Sequence, residues 1–254
     1  MYFRHGHTVG RWRTGQSRLS AHTVRRRIQN AGAGGILVLI LLPLLGVVPA
    51  RAAAGEISEF KTPQPVGTGP VVGSDGDLYF ATFTTGTTAG TAGSGAIGRI
   101  TPSGQITQFA DPNPAESNIY LITLGPDHNI WFVDNGTPSQ GGELGRLTPA
   151  GQITMFPIPR FGGNRVVPQA LTAGRDGNLW FTAFTAVTTR TLGPSLVGQV
   201  DPATGAVTEF PTPTASAEPG GAGTGLQGGL AAGSDGNLWF TETNLPGIAR
   251  VTVR

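Results

Sequence analysis

The 254-residue sequence holds 40 glycines and 20 prolines with only 13% charged residues, a composition of strands joined by turns rather than of long helices or a disordered polyelectrolyte. Cysteine is absent, which excludes disulfides, thiolate metal ligands and a lipid-anchored cysteine. The formal charge of +2 conceals an asymmetry: residues 1–54 carry eight arginines and no acid, whereas residues 55–254 carry nine basic side chains against fifteen acidic ones, a net −6. That sign is wrong for phosphate binding and excludes nucleic acid as a default partner of the second part.

The first element in chain order is an expected leader, residues 1–54. It has a basic stretch ending in Arg25, Arg26 and Arg27, an apolar core from Ile36 to Val48, and small residues at Ala50, Ala52 and Ala54. Cleavage is expected after Ala52 or Ala54, which makes the mature chain secreted, periplasmic or extracellular. The 13-residue core, interrupted by Pro43, is shorter than the roughly 20 residues that cross a bilayer as a helix, so a membrane enters only if the leader stays uncleaved.

From residue 55 to 254 the chain repeats itself. GSDGDLYF from Gly73, GPDHNIWF from Gly125, GRDGNLWF from Gly174 and GSDGNLWF from Gly233 align, and a second element follows the first three: AIGRITPSGQITQF from Ala96, ELGRLTPAGQITMF from Glu143 and LVGQVDPATGAVTEF from Leu196. The fourth copy continues only as GIARVTVR. Apolar residues alternate with period two within each unit, as in Leu78 with Phe80 and Ile130 with Phe132, which predicts strands. AspGly at Asp75, Asp176 and Asp235 supplies the positive φ of a tight hairpin, with His128 in the glycine's place in the second copy. ThrPro or AspPro followed by Gly gives a second recurring turn. Each unit therefore predicts four strands in about 50 residues, one blade of a β-propeller. The fold expected is all-β: four four-stranded blades, the last completed by EISEF (Glu56 to Phe60), which matches QITQF, QITMF and AVTEF and would pair with GIARVTVR as a clasp.

The pattern GxDGNLWFT followed by IGRITPxGxITxFPxP resembles the streptogramin lyase (virginiamycin B lyase-like) family over residues 56–254. The resemblance implies a propeller, of seven blades where this chain has material for four. It also implies a lyase that opens a cyclic depsipeptide by C–O elimination, with a histidine base and magnesium. The family's histidine stands five residues before the first Gly of the GxDG turn; the corresponding positions here are Thr68, Tyr120, Gln169 and Gly228. A glutamine has no lone pair basic enough to take a carbon-bound proton. His128, the one histidine outside the leader, reads as a turn residue.

The acid that closes the family's WFTE motif is Glu242 here, with Asp134 as its shorter analogue, and the two are the candidate metal ligands. They are otherwise expected to accept hydrogen bonds from the recurring arginines Arg99, Arg146 and Arg250. Trp131, Trp180 and Trp239, with Tyr79, are expected to pack between blades. His128 and Glu242 are the candidate catalytic side chains if lyase chemistry operates, and magnesium enters only with that reading. In an up-and-down blade the long, uneven loops all emerge on one face, and loops on a rigid scaffold commonly carry function. Tyr120, Asp134, Asn135, Asn164, Arg165, Gln169 and Asn244 are therefore the candidate ligand-binding residues. The partner expected is a small molecule, glycan or protein, bound by a monomer or by paired half-propellers.

Overall fold

A computed structural model describes residues 57–83, 95–113, 117–135, 141–187, 192–213, 229–242 and 247–253. These residues belong to one unit, Ile57–Arg254; the expected leader lies outside them. Among the described residues every regular element is a strand, and none is a helix able to cross a membrane.

Fifteen strands form four antiparallel sheets, each in simple chain order. The first sheet is β1 (Val71–Val72), β2 (Leu78–Phe83), β3 (Gly95–Ile100) and β4 (Ile106–Ala110). The second is β5 (Ile119–Leu124), β6 (Ile130–Asp134), β7 (Glu143–Leu147) and β8 (Ile153–Pro157). The third is β9 (Arg165–Ala173), β10 (Leu179–Ala186), β11 (Leu192–Val200) and β12 (Val207–Pro211), and the fourth is β13 (Leu230–Ala232), β14 (Leu238–Glu242) and β15 (Gly247–Val251).

The recurring sequence is a recurring hydrogen-bond device. In each β1–β2 type hairpin the turn aspartate accepts from the backbone N–H two residues on, as Asp127 does from Asn129 and Asp176 from Asn178. The same carboxylate accepts from the ring N–H of the tryptophan four residues on, in Trp131, Trp180 and Trp239, and from the Tyr79 hydroxyl in the first copy. Gly76, Gly177 and Gly236 take φ near 80°, and His128 takes 63° in the equivalent place. In the third strand the glycine of GlyArg is fixed by the ring opposite. A Cβ on Gly98, Gly145 or Gly198 would run into Phe80, Phe132 or Phe181, so these backbones approach the rings only because no side chain intervenes.

Strand alternation sends Trp131 and Val133 toward the third sheet and Ile130 and Phe132 toward the first. The core is accordingly three apolar clusters, each straddling two consecutive sheets. One joins Tyr79, Ala81 and Ile97 to Ile119, Ile130 and Phe132; one joins Trp131, Val133 and Leu144 to Leu179, Phe181 and Leu196; one joins Trp180 and Val197 to Leu238 and Phe240.

Two expectations are corrected here. The recurring arginines do not meet Asp134 or Glu242. Register places Arg99 beside Tyr79, Arg146 beside Trp131 and Arg250 beside Trp239, at the turn end of the strands. There Arg99 lies 3.6 Å from the Asp77 carboxylate, Arg250 3.9 Å from Asp235, and Arg146 donates to the Pro202 carbonyl of the next sheet at 3.0 Å while covering the Trp131 ring. The clasp, whose first residue Glu56 lies outside the described residues, is likewise not seen among them. Ile57–Phe60 belongs to no strand, and the fourth sheet has three strands among the described residues. Phe60 instead lies over Gly104, in the turn between β3 and β4, where the glycine's missing side chain leaves room for the ring.

Candidate functional site

The loop ends of the first three sheets converge on a polar cluster. Its positioning starts with two β-bulges. The β5–β6 register shifts between Ile119 and Leu121, leaving Tyr120 as the extra residue, and the β9–β10 register shifts between Pro168 and Ala170, leaving Gln169 as the extra residue. A bulge re-aims the side chain it carries. The two bulges fall on two of the positions, Tyr120 and Gln169, that the family resemblance aligns with its histidine.

Tyr120 faces the side chain of Asn135 and the guanidinium of Arg165. Burial raises its hydroxyl to about 12, against the lowering pull of Asn135 and the Arg165 charge. Arg165, at the start of β9, donates from Nη2 to the Asn135 carbonyl, and its Nε has no hydrogen-bond partner. Desolvation holds the guanidinium below the ordinary arginine range, with the Tyr120 and Asp134 charges opposing and the Arg160 charge adding.

Asp134, at the end of β6, is buried, and its Oδ1 accepts from the Asn118 N–H at 2.6 Å. Its carboxyl neighbour is Asp111, which follows β4 and is also buried. Burial, then the Asp134 carboxyl, pushes Asp111 up to about 6, even though the Asn113 N–H at 2.6 Å and the Ser117 hydroxyl beside it favour the ionised form. A carboxyl buried beside another carboxyl keeps its proton to higher pH than in water, which is the sense of the Asp111 shift. Beside the pair opens a pocket of about 260 Å³ lined by Asn113, Gly142, Glu143, Ile158 and Arg160.

The structure thus brings Tyr120, Asp134, Asn135 and Arg165 together. Gln169 shares β9 but folds its amide onto the Pro168 carbonyl at 2.9 Å. Asn164 closes the Phe161–Asn164 hairpin over Gly162 and Gly163, both at positive φ, and so sets the entry of β9. Glu242 ends β14 in the fourth sheet, two sheets from Asp134, which takes Asp111 as its carboxyl neighbour instead. His128 stands at the opposite end of β6, where its carbonyl accepts from the Ser74 hydroxyl at 2.8 Å. Asn244 lies outside the described residues. Asp111, Ser117 and Arg160 were not visible as site residues in the repeat alignment, because each sits where one copy departs from the others.

As to metal, the candidate ligands Asp134 and Glu242 end strands of the second and fourth sheets, and the carboxyl beside Asp134 is Asp111. Among the described residues no three His, Cys, Asp or Glu side chains gather to hold an ion.

Four antiparallel sheets in chain order, packed face to face through a repeated aromatic and glycine code, define a lyase-like β-propeller scaffold. Residues 46–254 match the model of the virginiamycin B lyase family, and the chain belongs to that family. Comparison with curated proteins gives no match.

Proposed function

We propose that the chain is an exported member of this family that works as a binding module, taking a small polar molecule on its loop-side face without the family's histidine-based elimination. The observation that supports this most is the pair of bulges. They present Tyr120 and Gln169, a phenol raised to about 12 and an uncharged amide, at two of the positions where the family pattern has its base. Neither takes a carbon-bound proton near neutral pH. What the cluster does offer is recognition chemistry. Arg165 and Arg160 supply positive charge, Asn113 and Asn135 supply amide groups, and the pocket has the volume of a small ligand rather than of a protein segment. An acidic sugar or a small carboxylate matches that set.

The test is a thermal-shift screen of the purified protein against uronic acids, dicarboxylates and neutral sugars. A stabilising acidic ligand whose effect is lost in Arg165→Ala and kept in His128→Ala is expected. Turnover of a cyclic depsipeptide, dependent on magnesium and abolished by Glu242→Ala, would overturn the reading in favour of a C–O lyase.

A further inference from the structure

The fourth sheet leaves uncovered the face that every other sheet buries. Register makes Trp239 with Arg250, and Thr241 with Ile248, the counterparts of Tyr79 with Arg99 and Ala81 with Ile97, of Trp131 with Arg146 and Val133 with Leu144, and of Trp180 with Gln199 and Thr182 with Val197. In the first three sheets the aromatic and the aliphatic members are buried against the sheet that follows. In the fourth, Trp239 is 39% exposed and Ile248 71% exposed, and β15 is an edge strand.

The complementary half of that joint lies at the other end of the unit. At the two joints whose following sheet also has a fourth strand, the fourth-strand phenylalanine of one sheet sits on the turn glycine of the next: Phe109 on Gly151 and Phe156 on Gly205. Gly104 of the first sheet carries Phe60 in the same seat. Ile57–Phe60 is therefore placed as the fourth strand of a sheet preceding the first, although it pairs with no strand, and Ile57 and Phe60 are exposed.

We propose that a second copy of this chain completes the joint, its Ile57–Phe60 segment adding to β15 as the fourth strand and its first sheet covering Trp239 and Ile248. The register is dictated by β3 with β4, where Ile106 faces Ile100 and Phe109 faces Ile97. It puts Ile57 opposite Val251, Ser58 opposite Arg250 and Phe60 opposite Ile248. A second copy is favoured over the same chain because strand packing runs first to second, second to third and third to fourth sheet, each joint built by equivalent residues. A partner's first sheet can meet this face with each of those joints left as it stands. Two copies joined at both ends close the array and cover the apolar face of each fourth sheet.

Light scattering across a concentration series on the full chain should give twice the chain's mass, falling to the single mass in Ile248→Asp and, independently, in Phe60→Ser, with far-UV circular dichroism unchanged in both. At these hot positions association is expected to weaken by about tenfold or more. Because the native sequence has no cysteine, Ser58→Cys and Arg250→Cys can be placed in separate chains. Mixing and oxidising them should yield a disulfide linking the two substituted positions across chains. A wild-type protein that stays monomeric at high concentration overturns the proposal, as does a dimer indifferent to both substitutions. So does a chain carrying both cysteines that oxidises within itself as a monomer, which would show that the segment serves its own β15.

Discussion

Replacing Asp111 by asparagine should abolish a pH-dependent loss of stability that the wild-type protein carries. Asp111 titrates near 6 in the folded protein against an ordinary value of 3.8, chiefly through burial and then through Asp134. A raised carboxyl pKa means that the folded state binds the proton more tightly than the unfolded state. Stability is therefore fully retained below the unfolded value of 3.8 and is lost as pH rises through about 6. A difference of roughly 2 units at about 1.4 kcal/mol each gives a loss on the order of 3 kcal/mol. Asparagine copies the protonated acid: its oxygen still accepts from the Asn113 N–H, and its NH2 takes the place of the protonated oxygen without a charge. Urea unfolding followed by tryptophan fluorescence at half-unit steps from pH 4 to pH 8 should show Asp111→Asn and wild type diverging between pH 4 and 6. The gap should reach about 3 kcal/mol above pH 7, or about 6–12 °C in melting temperature for a body of this size. Other titrating groups cancel in the difference. A flat difference curve, or a variant less stable than wild type at pH 7.5, would refute the raised Asp111 carboxyl.

Trp131→Ala should cost about 3–5 kcal/mol, since it empties a fully buried site, whereas Trp239→Ala in dilute protein should cost no more than about half as much; chemical denaturation of both variants checks the contrast. Gly145→Ala pushes a Cβ into the Phe132 ring and should cost about 1–3 kcal/mol, with a smaller loss when Phe132→Leu is made alongside, as a double-mutant cycle would reveal. Tyr120→Phe removes a hydroxyl that faces Arg165 and should weaken an acidic ligand by roughly five- to tenfold, as a lost hydrogen bond to a charged group does, with the melting temperature of the free protein little changed; calorimetric titration measures it.

Much of this architecture was legible in the sequence because the repeat encodes local chemistry. AspGly turns, the ThrPro turn and period-two alternation are short-range signals, and the strands and hairpins fall where they predict. Contacts between repeats were harder to see. Arg146 and Arg250 looked like partners for Asp134 and Glu242 in the same copies, yet hairpin register sends them to the tryptophan end, three residues or about 10 Å of strand away by the roughly 3.3 Å rise per residue. Asp111 gave no signal in its own segment, because its neighbour Asp134 belongs to the next sheet and a carboxyl pair across a joint has no sequence spacing. Tyr120 and Gln169 were marked by alignment to a family pattern, but that they are bulged follows only from a register shift in each hairpin.

The site arises where the repeat is broken. After the fourth strand of successive sheets stand Asp111, Ile158 and Thr212, each donating its backbone N–H to the same carbonyl position, that of Gly95, Gly142 and Ser195. At the end of the second strand of the sheet that follows each of them stand Asp134, Ala183 and Glu242. The middle pair is apolar and buried, which is what packing alone asks of these positions. The first pair places two acids in the same frame. Burying them costs stability that the Ile158–Ala183 pair does not, offset in part by the Asn113 and Asn118 N–H groups they accept from. The acids therefore have a local reason, and the one beside them is the Tyr120–Asn135–Arg165 group. Asp134 helps hold Arg165 charged in a desolvated place, and Asp111, while protonated, adds no second negative charge beside an acidic ligand. Ionisation of Asp111 above pH 6 should then weaken an acidic ligand, and Asp111→Asn should hold its affinity constant from pH 5 to 8 while wild type loses it; parallel pH profiles for the two proteins would refute the coupling.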